Sequence, residues 1–162
     1  MDFKHFNYGE LNDLSDFFLS QISNDFKSMG YSDLDRGSFK GGGFYLKDDD
    51  KLVSLGLYAS NINKVFINHS TPFIDSIDKN KVGYMGLAWV DKSMRGGGFQ
   101  KKLVGLRENQ LKVKNIGEVV ALVDKGNIAS FKSFSDLGYD VVDELFIDGV
   151  YSRSIFYKNI RD

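Results

Sequence analysis

The sequence predicts a single α/β domain in which helices pack on a mixed β-sheet, and three observations carry that prediction. With 162 residues the chain is shorter than the length at which cores usually divide, so residues 1–162 are expected to form one domain. Short apolar runs bounded by turn residues alternate with stretches whose apolar positions recur every three or four residues, in the order β-α-β-β-β-α-β-α-β-β. An apolar content of 42%, with 14 Phe, 8 Tyr and one Trp, supplies a sizeable core, while 27% charged residues is ordinary for a globular domain and argues against disorder.

Phe3-Lys4-His5-Phe6-Asn7-Tyr8 opens the chain as a first strand with imperfect alternation. From Leu11 the positions Leu14, Phe18, Ile22 and Phe26 line one side of an amphipathic helix that ends before Gly30. Residues 30–43 mix Ser, Asp, Gly and aromatics, close in Gly41-Gly42-Gly43, and read as a connecting segment. The runs 44–47 and 52–58 flank Asp48-Asp49-Asp50 as a hairpin. The polar stretch from Asn61 to Lys81 holds the only proline, Pro72; it reads as a surface excursion, with Val65-Phe66-Ile67 as a candidate short strand.

The second half is better punctuated. Val82 to Val90 is a nearly unbroken apolar run, as expected for a central strand covered on both faces. After Gly96-Gly97-Gly98, the series Phe99, Leu103, Leu106 and Val113 marks a helix ending near Asn115 or Gly117. Residues 119–123 make another buried strand, and Ile128, Phe131, Phe134 and Leu137 mark a short helix stopped by Gly138. Tyr139 to Phe146, the turn Asp148-Gly149 and Tyr151 to Tyr157 close the chain as an antiparallel hairpin, whose aromatics suit a homodimer contact.

Composition narrows the partners. Twenty-one basic against 22 acidic side chains leave a net charge of −1, which provides no electrostatic footprint for nucleic acid or an anionic membrane. The chain has no cysteine, which excludes disulfides, thiolate nucleophiles and Cys-ligated zinc; only His5 and His69 offer imidazole. Asp48-Asp49-Asp50 lacks the alternating spacing of a calcium loop, so no metal is expected. The acids Asp2, Glu10, Asp13 and Asp16 near the start are unlike a secretion signal, and no segment approaches the roughly eighteen apolar residues of a membrane span, so a cytoplasmic protein is expected.

The most informative stretch runs from Val90 to Leu103. Three glycines between a buried strand and a helix let backbone N–H groups converge without Cβ obstruction, and the first N–H groups of the helix have no internal partner. The helix dipole adds partial positive charge, and Arg95, Lys101 and Lys102 add more, so the natural ligand is a phosphate or pyrophosphate. A P-loop would need Gly-Lys-Ser/Thr and a dinucleotide fingerprint would need GxGxxG; neither is present. The alternative for the triplet alone is a flexible turn.

Arg95-x-x-Gly98-x-Gln100, with Val90 five residues earlier at the end of the long apolar strand, resembles the acetyl-CoA-binding motif R/Q-x-x-G-x-G/A of the GNAT superfamily of N-acetyltransferases. Gln100 replaces the usual Gly or Ala; its N–H remains available, but its side chain must point away from the phosphates. The segment Asn127 to Tyr139 looks like the family's N-x-x-A-x-x-x-Y-x-x-x-G-F/Y, with Asn127, Gly138 and Tyr139 in place. The resemblance covers residues from about 80 to the end; before that only the order of elements agrees.

The resemblance implies a GNAT-like fold: a mixed, mostly antiparallel central sheet, flanked by helices, whose middle strands splay to admit a pantetheine arm. It implies acetyl-CoA as cosubstrate, held by Ala88, Trp89, Val90, Arg95, Gly96, Gly97, Gly98, Phe99, Gln100, Lys101, Asn127 and Phe134. The Ala88 N–H would face the thioester carbonyl and the oxyanion formed when an amine attacks it. Asn127 would contact the pantetheine side, its alternative role being to cap the short helix.

Proton transfer is where the pattern breaks. The family commonly has a Tyr at the position of Phe134, where its hydroxyl protonates the departing thiolate; Phe cannot donate. Ser130 and Ser133 read as helix-surface serines and Tyr139 as core. No carboxylate lies between Val82 and Val90, so Tyr84 is the candidate base or water relay there, with His69, Asp75 and Asp78 as more remote candidates. The reading is an acetyltransferase acting on a primary amine. Its rivals are a catalytically weak acyl-CoA-binding or regulatory module of the same fold and, further off, a nucleotide-binding domain.

Overall fold

A computed structural model describes residues 2–22, 41–147 and 151–162. Strand β1 (Lys4–Asn7) ends where the Asn7 side chain accepts the Glu10 N–H and the Glu10 carboxylate accepts the Asn7 N–H, a reciprocal cap on a single 3-10 turn. Helix α1 (Leu11–Gln21) follows, with Leu11 and Phe18 buried as their spacing predicts and Ile22 buried just past its end. The predicted continuation of this helix to Gly30, the part of the connecting segment before Gly41, and the Asp148-Gly149 turn lie outside the described residues.

β2 (Gly41–Asp48) and β3 (Lys51–Ala59) form the predicted hairpin, with Asp49 at φ 52 in its turn and a register shift at Leu46/Lys47. The glycines 41–43 are strand, not connector, and the reason is room. A Cβ on Gly41 would lie 2.0 Å from the Tyr58 carbonyl oxygen, and one on Gly42 would lie 2.2 Å from that of Phe6. Only glycine lets the neighbouring chains approach this closely.

Within the excursion, residues 65–67 are turn, not strand. The Phe66 N–H bonds back to the Ile62 carbonyl at 3.1 Å, which buries Val65 and Phe66 and leaves Ile67 68% exposed. A short helix, α2 (Pro72–Asp75), follows; Thr71 caps it through the Ile74 N–H and Pro72 occupies the first turn, where a missing N–H does no harm.

β4 (Val82–Val90), α3 (Phe99–Val113), β5 (Glu118–Asp124), α4 (Ile128–Asp136), β6 (Asp140–Ile147) and β7 (Tyr151–Asn159) fall where the apolar runs and glycines predict. Gly138, at φ 87, is the left-handed residue that stops α4. The buried face of α3 differs from the predicted one. Leu103, Val104, Arg107, Glu108 and Leu111 are buried, whereas Val113 is 77% exposed. Two charged residues stand in the stripe that a purely apolar template assigns to Leu106 and Val113.

The strands form a seven-stranded sheet in the order β1-β2-β3-β4-β5-β7-β6. β1/β2, β2/β3, β5/β7 and β6/β7 pair antiparallel, and β4 and β5 pair in parallel across the α3 connection. The β4/β5 ladder runs from Val82↔Glu118 to Met85↔Ala121 and stops there, although both strands continue.

The chain divides into two compact units, one of residues 1–59 with 86–107 and one of residues 60–85 with 108–162. In the first, α1 closes over the sheet and Phe6, Phe18, Leu52, Leu55, Leu57, Leu87 and Trp89 form the core, with Tyr45 edge-on to Phe18 at 5.4 Å. In the second, Phe156 is enclosed by Phe131 and Phe134 at ring distances of 4.8 and 5.8 Å. Of the closing-hairpin aromatics, Phe156 is buried and the Tyr157 hydroxyl donates to Glu118 at 2.6 Å; Phe146 stays 66% exposed.

Candidate functional site

The glycine corner is built from consecutive residues of the first unit. At the end of β4 the Asp91 N–H bonds to the Val53 carbonyl at 2.7 Å, tying the strand exit to β3. The Asp91 carboxylate then accepts from Ser93, through both its hydroxyl and its N–H, and pairs with Lys51 at 3.2 Å. The Ser93 bonds, with help from Lys51, hold its pKa below the usual carboxylate value. This acid is therefore engaged in shaping the turn. Arg95 folds back, its Nε donating to the Val90 carbonyl at 3.1 Å.

Gly96 and Gly98 adopt φ values of 87° and 79°, which residues with a Cβ rarely take, and nothing lies within 4 Å of where a Cβ would stand on either. The requirement is thus conformational, and the space beside both residues is open. Residues 95–98 are exposed, and α3 begins directly behind them, with the Lys102 N–H making a helical bond to the Gly98 carbonyl at 3.1 Å. The first turn of α3 contains no acidic residue to compete for its N-terminus. Phe99 lies 6.4 Å from Phe3 in ring distance, and the Lys102 ammonium sits over the Phe3 ring. The corner thus sets two left-handed glycines with open space beside them at the N-terminus of a fifteen-residue helix, with Arg95 and Lys102 close by in sequence.

Along β4 burial alternates: Leu87 and Trp89 are in the core, and Gly86, Ala88 and Val90 are partly exposed. Ala88 is thus partly exposed between two core residues. The Trp89 indole Nε1 is buried with no hydrogen-bond partner. The residue missed by sequence reading is Arg107, which is completely buried and bonds to backbone carbonyls of β3 and β4. Its signal was its place in the i, i+4, i+8 series from Leu103 to Leu111.

The remaining candidates belong to the second unit. Tyr84 is buried at 5% exposure. The Asn127 side chain accepts the Ser130 N–H at 3.1 Å, so the capping role is the one observed. The Phe134 ring is buried, edge-on to Tyr139 at 5.0 Å, and Tyr139 is core as predicted. Asp75 is engaged by the Ser70 hydroxyl, and Asp78 accepts the Asn80 N–H at 3.0 Å and pairs with Lys81. The His69 N–H bonds back to Phe66 at 3.2 Å. Also unforeseen, Asp143 on β6 accepts the N–H groups of Phe73 at 3.1 Å and Glu144 at 2.9 Å. Those donors, with the Thr71 hydroxyl, hold its pKa below the carboxylate norm. Among the described residues no three His, Cys, Asp or Glu side chains converge to hold a metal, and no helix is long and apolar enough to cross a membrane.

No protein-family model matches the chain, and no curated protein matches its sequence. Solved structures do match over nearly its whole length. A ribosomal-protein-alanine N-acetyltransferase from Brucella melitensis is 12% identical with a TM-score of 0.62, over 98% of this chain and 99% of its own. A GNAT-family acetyltransferase from Staphylococcus aureus Mu50 is 16% identical with a TM-score of 0.63, over 99% of both chains. The yncA structure from Salmonella typhimurium, solved with its cofactor acetyl-CoA, is 10% identical with a TM-score of 0.63, over 99% of this chain and 94% of its own. The chain has the GNAT fold, the mostly antiparallel sheet flanked by helices that its motifs imply.

Proposed function

We propose that this protein is an acyltransferase that moves an acetyl group from acetyl-CoA to a primary amine. The observation that carries the reading is the corner at Gly96 and Gly98, where two left-handed glycines with open space beside them stand before the N-terminus of a fifteen-residue helix. Its N–H groups, from Gly96 to Lys101, would bind the diphosphate of acetyl-CoA, with Arg95 held alongside by Val90. The similarity in fold to the yncA structure, solved with acetyl-CoA, supports the choice of ligand. When bound, acetyl-CoA supplies an acetyl group activated as a thioester.

The end of β4 would do the rest. The backbone of Ala88, Trp89 and Val90 would pair with the pantetheine arm as an added strand does, and the Ala88 N–H would stabilise charge developing on the acyl oxygen. Loss of such a donor costs roughly 2.7–4 kcal/mol in characterised enzymes. Tyr84 is the titratable residue that the β4 sequence offers as base or water relay for the ammonium proton; the thiolate would collect its proton from solvent, since Phe134 offers none. A homodimer contact would centre on Phe146.

A second reading, an acyl-CoA-binding module without turnover, is favoured by two features: Phe134 packed among aromatics and a β4 without a carboxylate. Calorimetry with CoA and thiol release against a panel of amines separate the two readings: binding without release for any amine selects the module. The shared premise is tested by Gly98→Glu, which places an anion at the corner, with Gly98→Ala reporting the backbone strain alone. CoA binding is expected to vanish in the first and to weaken less in the second. Unchanged affinity in Gly98→Glu overturns the assignment.

A further inference from the structure

Arg107 is 0% exposed, although a guanidinium is expensive to bury unless its N–H groups are matched. Its Nε donates to the Leu103 carbonyl of its own helix at 3.1 Å. Its Nη1 reaches two strands, the Leu57 carbonyl of β3 at 2.9 Å and the Gly86 carbonyl of β4 at 3.4 Å. Gly56 makes the space: a Cβ there would lie 3.1 Å from Nε and 3.2 Å from Cζ. Buried charged groups can often be replaced by well-packed apolar residues of similar volume without loss of stability, so packing alone does not call for an arginine.

The ladder of β4 supplies the account. Pairing with β5 stops at Met85, so Gly86 is the first β4 residue beyond it, and its carbonyl is the one Arg107 holds. Gly86 and Ala88 are two residues apart, and alternate residues of a strand direct their backbone groups to the same edge. The Gly86 carbonyl and the Ala88 N–H belong to the two peptide planes that flank Leu87, whose side chain is buried in the core, so holding the first plane restrains the second.

We propose that Arg107 is a positioning residue: by holding the Gly86 carbonyl it sets the direction of the Ala88 N–H, the donor to the thioester oxygen. This rests on the acyltransferase reading. The test is the infrared carbonyl band of isotopically labelled acetyl-CoA bound to the full chain, which needs no knowledge of the acceptor. In the unaltered protein the band is expected to move to lower frequency. Arg107→Met is expected to lose that shift while CoA affinity is unchanged, and Arg107→Lys, whose compact ammonium lacks the planar fork, retains part of it. Acetyl transfer to any amine that serves as acceptor is expected to slow by roughly 10²-fold in Arg107→Met, the usual consequence of slight misplacement at a reacting centre.

If Arg107→Met does not fold, Gly56→Ala decides, because its Cβ makes the guanidinium give by a few tenths of an ångström, enough to stretch the 3.4 Å bond to Gly86 past hydrogen-bond range while keeping the charge. A full band shift in Arg107→Met, or in Gly56→Ala where the first variant is unfolded, overturns the proposal. Absence of CoA binding by the unaltered protein instead overturns the acyltransferase reading, and this proposal with it.

Discussion

In the proposed reading, Phe134 is the side chain at which binding and chemistry part. Its ring is held by Tyr139 at 5.0 Å and Phe156 at 5.8 Å, so the position is rigid whether or not a hydroxyl is present. Phe134→Tyr adds a donor to a preformed mount and is expected to raise acetyl-transfer turnover about tenfold, short of the 10²–10⁴ of a purpose-placed acid because its neighbours fix the ring's angle. CoA affinity is expected to stay constant. A fall in thermal stability with unchanged turnover would show instead that the para position is enclosed. That Phe134 stands where the resembled motif has a tyrosine was legible in the sequence because it is a single letter in a motif. Arg107 was not, because a charged residue in an apolar stripe is discarded by any template that counts only apolar positions.

Among the elements, legibility followed locality. β4, α3, β5 and α4 are bounded by their own glycines and turn residues, and the glycine corner consists of neighbours in sequence, so both could be read directly. Gly41 to Gly43 could not, because what makes them strand is the approach of Tyr58 and Phe6 from other strands. The placement of β7 between β5 and β6 and the tether from Asp143 to α2 are likewise non-local. That tether makes a prediction about α2. Asp143 is held below the ordinary carboxylate pKa chiefly by the Phe73 and Glu144 N–H groups. Between its depressed value and the ordinary one of 3.8 the unfolded chain binds more protons than the folded one, so stability falls as pH drops through that window. Asp143→Asn is expected to cost about 1 kcal/mol at pH 7, allowing for solvent screening of a partly exposed group. Urea unfolding of the two proteins should converge below the window; a difference that persists at low pH would place the effect in packing.

For the molecule as a whole, each compact unit is drawn from two stretches of chain, and the three boundaries fall after Ala59 at the end of β3, inside β4 after Met85, and inside α3 after Arg107. Neither unit can be removed by one truncation, so ligand binding is best read on the entire chain. Trp89, the single tryptophan, is buried beside Ala88 and reports on the first unit by fluorescence, while far-UV circular dichroism reports on all the strands and helices. A ligand at a hundred times its dissociation constant stabilises the folded state by about 2.7 kcal/mol, and acetyl-CoA is the ligand proposed. At about 2–4 °C per kcal/mol for a chain of this size, the melting temperature should rise by roughly 5–11 °C. Because β4 and α3 each run through both units, the two signals are expected to rise together, and ATP at the same concentration is expected to move neither. An equal shift with ATP would select a nucleotide-binding domain, since it would mean that the corner recognises a phosphate chain without regard to the pantetheine arm. A rise in the Trp89 signal alone would show that the units melt independently despite the elements they share.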